Sequence, residues 1–312
     1  MPEVYKFGPD IDYSMLSDNN SIKIYYKRLK EDGWLDNFDY INVSGLPFYI
    51  NKEWKKIGIN LSGGADSAIL LYITAKIIND LNLDIELYPI CVSRYWRKAK
   101  HVDQAKINVY NYVTRKFKNV IIKDIQWGFI PEAYDLTPLE NLKFPDSENL
   151  RYKHKFGIAN SDVYFFQEFN EWLFSIKNID IIFSGTTTNP ENESFEDKPS
   201  FRDKDKISEL RIFWPSKSKR IEENKKHTAT FDPFMFVDKS WTTAQYKNLN
   251  VEDLFTMTKS CEQGENGCGK CFHCKERQWS IENQHTYIYR KNQCQKKFGI
   301  YHLVTRLMKN LI

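Results

Sequence analysis

Apolar residues recur along this chain in two rhythms. Ile57 to Leu61 is a short apolar run, whereas Ser67 to Leu81 carries Ile69, Leu70, Ile73, Ile77, Ile78 and Leu81 at helical spacing. The first predicts a buried strand and the second the helix that follows it. IELYPICV from Ile85 predicts a second strand, His101 to Phe117 a helix, and NVIIKDI from Asn119 a third strand. After Gln126 the pattern weakens into a long loop that ends near Ser161 and Asp162, a helix N-cap pair. VYFFQEFNEWLFSI then predicts a helix, and DIIFSG from Asp180 a fourth strand ending in Gly185. Strands alternating with helices predict an α/β fold: an open parallel sheet, right-handed crossovers and helices on both faces.

Outside that alternation the chain changes character. The first fifty residues lack a clear period, with aromatics scattered among polar residues before SGLPFYI, and 1–52 are read as an extension packed on the main domain. The α/β domain is expected over 53–228. It includes a charged, aperiodic stretch, 186–228, too long to be a mere connection in a compact domain and read as a binding loop or lid, or else as partly disordered. A C-terminal region, 229–312, holds a short helix around Trp241 to Leu249, a crowd of cysteines and a basic amphipathic tail.

Composition narrows the class. Hydrophobic residues at 41% and aromatics at 15% suffice for a core, so a disordered chain is not expected. A formal net charge of +4 permits contact with nucleotides or nucleic acid without demanding it. No stretch approaches the roughly 18 consecutive apolar residues of a membrane span, and MPEVYKFGPDIDYS has no apolar targeting core. The expectation is a soluble, cytoplasmic protein without a membrane partner.

Two motifs carry chemistry. NLSGGADSAI, residues 60–69, sits between the first predicted strand and its helix. Adjacent glycines let backbone approach a ligand closely, and the first N–H groups of the helix point outward with its dipole behind them, which suits phosphate. The lysine of a Walker loop and the third glycine of a dinucleotide fingerprint are both missing. A plain tight turn with a Ser or Asp cap is the other reading. The second motif is Cys261-x6-Cys268-x2-Cys271-x2-Cys274, with Gly264, Gly267 and Gly269 permitting tight turns. Four thiolates at this spacing suit a closed structural Zn²⁺ site with no open position for a catalytic water, and an iron–sulfur cluster is the rival. Lys259, Lys270, Lys275 and Arg277 are placed to offset the net charge of the thiolate site.

Ser62-Gly63-Gly64-x-Asp66-Ser67 resembles the signature of the PP-loop ATP pyrophosphatases, whose fold is adenine nucleotide alpha hydrolase-like. Combined with the cysteine cluster, it resembles the 7-cyano-7-deazaguanine synthases of the queuosine pathway. KPSFRD at Lys198 to Asp203, DPFMFVDKSW at Asp232 to Trp241 and SCEQGENGCGKCFHCKER at Ser260 to Arg277 add to that likeness, which spans roughly residues 55–280. Departures are the fifty residues before the turn, a first cysteine spacing two residues shorter than usual, SRYWRKAKH in place of a Gln-Arg-His run, and no arginine–asparagine turn in RYKHKFGIANSDVYFF.

The resemblance implies an ATP-dependent ligase that joins ammonia to 7-carboxy-7-deazaguanine through adenylated intermediates. It implies that Leu61, Ser62, Gly63, Gly64, Asp66, Ser67 and Cys91 bind ATP, Asp66 assisting Mg²⁺ or fixing the loop. Gly185, Asn189 and Arg202 would bind the deazapurine carboxylate, Asp66, Arg202 and Asp203 would serve catalysis, and Cys261, Cys268, Cys271 and Cys274 would hold Zn²⁺. Asp124 is read as a Mg²⁺ ligand or a loop hydrogen-bonder. A homodimer is common in the family. Two other functions fit the same motifs: a PP-loop enzyme that modifies a nucleic acid or protein by thiolation or deazaguanine attachment, and a non-catalytic zinc-stabilised nucleotide sensor.

Overall fold

The computed structural model describes residues 39–43, 46–50, 54–94, 100–130, 169–170, 172–174, 176–190, 230–234 and 237–287. Its centre is a five-stranded parallel sheet built from β3 (Lys56–Asn60), β4 (Glu86–Arg94), β5 (Gln126–Ile130), β6 (Ile181–Phe183) and β7 (Thr230–Phe231), in the order β5-β4-β3-β6-β7. A hairpin, β1 (Asp39–Val43) and β2 (Leu46–Ile50), lies outside that sheet.

Side-chain alternation sorts the sheet into two faces. Ile57, Ile59, Leu87, Cys91, Ile181 and Phe183 belong to one core cluster, which α1 (Ala65–Leu81) and α2 (Lys100–Lys116) cover. The chain reaches the same cluster again through Trp241 and Tyr246 of α3 (Lys239–Asn248) and Leu254 of α4 (Glu252–Met257). Tyr88, Ile90 and Ile182 point the other way, onto Phe169, Leu173 and Ile179. The alternation of strand and helix therefore does give helices on both faces.

α1 is buried almost all round: twelve of its seventeen residues are inaccessible. Asn82 ends it in the left-handed conformation that asparagine tolerates, returning its N–H to Asn79 O. The hairpin joins the same core through Val43, Leu46, Phe48 and Ile50, with the Phe48 ring edge-on to Phe183 at 5.7 Å.

The third strand is displaced from the sequence expectation. NVIIKDI touches β4 through a single bridge, Ile122 to Leu87, and the regular ladder starts only at Gln126 paired with Ile90. Val120, Ile121, Ile122 and Ile125 mark 119–125 as apolar, but Ile121 is half exposed, and Trp127 and Gly128 pack inward instead. The hairpin strands and β7, which are short or mixed in polarity, also escape the pattern. The predicted cap at Ser161 and Asp162 and the stretch 191–229 lie outside the described residues.

Candidate functional site

β3 to α1 to β4 to α2 to β5 walks one way across the sheet, whereas β6 and β7 lie on the other side of β3. Strand order thus reverses at β3, and the crevice beyond the carboxyl ends of β3 and β6 is where open α/β sheets take ligands. Residues 61–67 occupy that crevice.

Gly63 adopts φ +87°, a region closed to ordinary side chains, and a Cβ there would lie 2.9 Å from Val102 O. Gly64 caps α1 in an extended conformation with no side-chain cap, so the first N–H groups of the helix lack intrahelical acceptors. Ser67 Oγ folds back on the turn: it accepts from Ser62 N at 3.1 Å, lies 3.0 Å from Ser62 Oγ and donates to Gly64 O at 3.1 Å. Gly64 N donates to Ser62 Oγ at 3.3 Å. Gly185, at the end of β6, abuts the helix start so closely that a Cβ would lie 3.0 Å from the Asp66 carbonyl carbon. Asn60, the last residue of β3, buries an Oδ1 without a hydrogen-bond partner beside this turn.

Asp66 does not face open solvent. Its Oδ1 accepts from Thr242 Oγ1 at 2.6 Å, and its Oδ2 lies 3.2 Å from Lys239 Nζ. Lys239 in turn donates to Glu276 Oε2 at 2.6 Å, and Glu276 is wholly buried. Tyr246 hydroxyl donates to Ala65 O at 2.5 Å. The carboxylate therefore ties the turn to α3, one of the two roles its position suggests in the sequence.

The other nominated residues fall at varied depths. Leu61 and Cys91 sit in the core beneath the turn, and burial raises the Cys91 thiol to about 12. Asn189 is buried just after Thr188, whose N–H donates to Val237 O. Asp124 is a loop hydrogen-bonder, accepting from Tyr110 hydroxyl at 3.3 Å. Arg202 and Asp203 lie outside the described residues.

The second cluster assembles as its spacing implies. The Sγ atoms of Cys261, Cys268, Cys271 and Cys274 all lie within 4.8 Å of one another, with Cys268 to Cys274 at 3.9 Å and Cys271 to Cys261 at 4.0 Å. A tetrahedron with metal–sulfur bonds of about 2.3 Å has edges of roughly 3.8 Å, so the donors fit one small ion. A cubane places each thiolate on a different iron and spreads them farther. Gly267 and Gly269 take positive φ, 85° and 69°, turning the chain so that Cys268 N and Cys271 N each point at a preceding sulfur at 3.3 Å. The N–H groups of Cys271 and Lys270 pull the Cys268 thiol down to about 6, whereas burial holds Cys271 up, at about 12. A cation among the four sulfurs would favour their thiolate forms at this spacing.

Cys271 caps α5 (Phe272–Asn283), which carries Cys274 and runs into a 3₁₀ turn at Gln284–Tyr287. Arg277 is no solvated counter-charge. Its guanidinium stacks 4.0 Å over Phe255 and donates to Thr258 Oγ1 and Phe255 O. The sequence points to neither Thr242 nor Glu276, and it gives His101 no catalytic spacing. The His101 ring Nε2 nonetheless lies 2.7 Å from Cys261 O. Only the buried stripe Phe272, Glu276, Ser280, at intervals of four, signals that Glu276 faces inward.

Together these features define an α/β protein with an uncapped helix N-terminus at the reversal of a parallel sheet, braced by a four-thiolate module. No protein-family model matches the chain, and no curated protein matches it. Among solved structures it is similar to the U34-tRNA thiolase NcsA from Methanococcus maripaludis with its [4Fe-4S] cluster, at 11% identity and a TM-score of 0.39, over 92% of this chain and 80% of that one. No helix among the described residues is long and apolar enough to cross a membrane.

Proposed function

We propose that this chain is an ATP-using enzyme of the PP-loop type, and that its reaction is the conversion of 7-carboxy-7-deazaguanine and ammonia to 7-cyano-7-deazaguanine. The observation that carries the nucleotide half is the uncapped start of α1 behind Gly63 at positive φ, opening into the crevice at the reversal of strand order. Polyphosphate takes the first amides of α1, which the glycine cap leaves without a side-chain acceptor, and on binding it displaces the serine hydroxyls now accepting from Ser62 N and Gly64 N. Leu61 and Cys91 form the floor, and Asp66 holds the turn rather than the ion. Mg²⁺ accompanies the nucleotide. The hydrogen-bond donor for Asn60 Oδ1 comes from the bound ligand or its water.

In this reading a carboxylate oxygen of the deazapurine attacks the α-phosphorus and pyrophosphate leaves. Ammonia adds to the acyl adenylate, AMP departs, and the amide forms. A second ATP adenylates the amide oxygen, and loss of AMP with two protons gives the nitrile. Orientation and charge neutralisation suffice for these steps, and no protein nucleophile is needed. Gly185 and Asn189 lie beside the acceptor, and Arg202 and Asp203 reach its carboxylate and its guanine-like edge. The four cysteines hold Zn²⁺ as a structural ion. The acceptor assignment rests on the resemblance of the segments at 198–203, 232–241 and 260–277, and the homodimer is part of the same reading.

Pyrophosphate release measured on zinc-loaded protein with ATP and Mg²⁺ tests it. Release that requires both 7-carboxy-7-deazaguanine and ammonia is expected. Release only upon addition of tRNA or a protein acceptor would replace the substrate and keep the ATP chemistry. Nucleotide binding without release under any of these conditions would make the chain a sensor.

A further inference from the structure

We infer that Glu276 and Lys239 are positioning residues through which the four-cysteine centre sets the geometry of the glycine turn, so that metal occupancy governs how well the turn holds a polyphosphate. The functional half of this inference rests on the nucleotide reading above; the mechanical half does not.

Two bridges join the centre to the turn. One runs through backbone. Lys259, two residues before ligand Cys261, donates its N–H to Gly63 O at 2.8 Å, and His101 Nε2 meets Cys261 O at 2.7 Å. The peptide between Gly63 and Gly64 is planar and trans, so its carbonyl and its N–H point in opposite directions. Fixing Gly63 O against Lys259 therefore aims Gly64 N–H back into the turn. Val102, next to His101, walls the other side of Gly63. Whatever holds Cys261 in place also holds the orientation of an amide at the site.

The other bridge is a chain of alternating charge. Ligands Cys271 and Cys274 fix the first turn of α5, and Glu276 follows on its buried stripe. Glu276 meets Lys239 at 2.6 Å, and Lys239 meets Asp66 at 3.2 Å in the first turn of α1. Side-chain exposure along this chain is 0% for Glu276, 7% for Lys239 and 17% for Asp66. Largely buried charges this close have few replacement partners, so displacing one disturbs its neighbours. α5 buries only Phe272, Glu276 and Ser280, so apolar burial does little to seat it and its polar contacts, with the metal, set its position.

Hydrogen exchange on the full chain tests the coupling, comparing zinc-loaded wild type, chelator-stripped wild type and zinc-loaded Glu276→Gln. In the loaded variant, with zinc content unchanged, amides of 60–68 are expected to exchange about tenfold faster while those of β4 keep their rate, and ATP affinity by calorimetry is expected to fall about tenfold alongside, within the usual range for coupled sites. Stripping should produce at least the same change. Equal protection of 60–68 in the loaded variant and loaded wild type overturns the inference, even if stripped protein unfolds throughout. Unchanged exchange with intact ATP binding sinks the coupling and leaves the nucleotide reading standing. Altered exchange in a loaded protein that binds no ATP does the reverse, removing the functional half.

Discussion

α1 and α5 are both helices of ordinary length, and they are held by opposite means. α1 hides twelve residues, among them Ile69, Leu70, Leu71 and Ala75 with no exposure at all. α5 hides three, of which one is a glutamate and one a serine. Apolar burial fixes the first helix, and directional bonds hold the second: Glu276 to Lys239, Ser280 to Thr243 and Arg277 to the end of α4, with a metal on the cysteines at its start as the proposed fourth. Burial is non-directional and tolerant of small shifts, whereas bonds of these kinds specify position. A glycine turn that must aim its amides gains more from the second kind of neighbour.

The largest effect expected from breaking this contrast is loss of the metal. Structural Zn²⁺ in small motifs is worth on the order of 10–16 kcal/mol of apparent binding energy, and α5 has little apolar burial beside it. Cys268→Ala should therefore abolish metal retention and open residues 258–287 to protease, while the sheet and α1 remain folded. Metal analysis with mapped proteolysis decides this. Loss of the entire fold would mean that the two regions are not held separately.

Next come substitutions that sharpen the comparison. Glu276→Ala removes one buried carboxylate partner of Lys239, and breaking such a pair costs about 3–5 kcal/mol. Ile69→Ala should cost about 2–5 kcal/mol through the cavity it leaves. Similar losses of denaturant midpoint are expected, but only Glu276→Ala should also weaken nucleotide binding. Gly63→Ala is smaller in stability, about 1–2 kcal/mol for a left-handed alanine. It should be far more damaging to ATP affinity in calorimetry, because the 2.9 Å approach to Val102 O forces the turn aside.

What the sequence reveals follows the same division. α1 is legible because apolar burial writes itself as periodicity, and the four cysteines are legible because ligation demands fixed spacing. β5 is misplaced because Ile121 and Ile122 look like core, yet Ile121 faces solvent. The brace is invisible: Asp66, Lys239 and Glu276 are 173 and 37 residues apart in turn (239 − 66 and 276 − 239), and pairing between charges leaves no local pattern. Asp66 itself stands out only through its motif, and which partner its carboxylate takes is decided by α3. His101 is likewise unremarkable until the fold carries Cys261 to it.

Two cysteines provide the subtlest probe of the contrast. Backbone N–H groups lower Cys268 to about 6 in the module, whereas burial raises Cys91 from 9.0 to about 12 in the sheet. A raised native value means that the folded state keeps its proton when the unfolded chain has lost it. The Cys91 contribution to stability is thus present in full below pH 9 and lost progressively as pH climbs through about 12. Urea midpoints measured from pH 8 to 11 should fall more steeply for wild type than for Cys91→Ala, since ionising tyrosines act equally on both. At pH 8 the peptide bearing Cys91 should also stay unalkylated in folded protein. Rapid modification there, with the fold intact, would mean that the floor beneath the glycine turn opens to solvent and that α1 is less firmly seated than its burial implies.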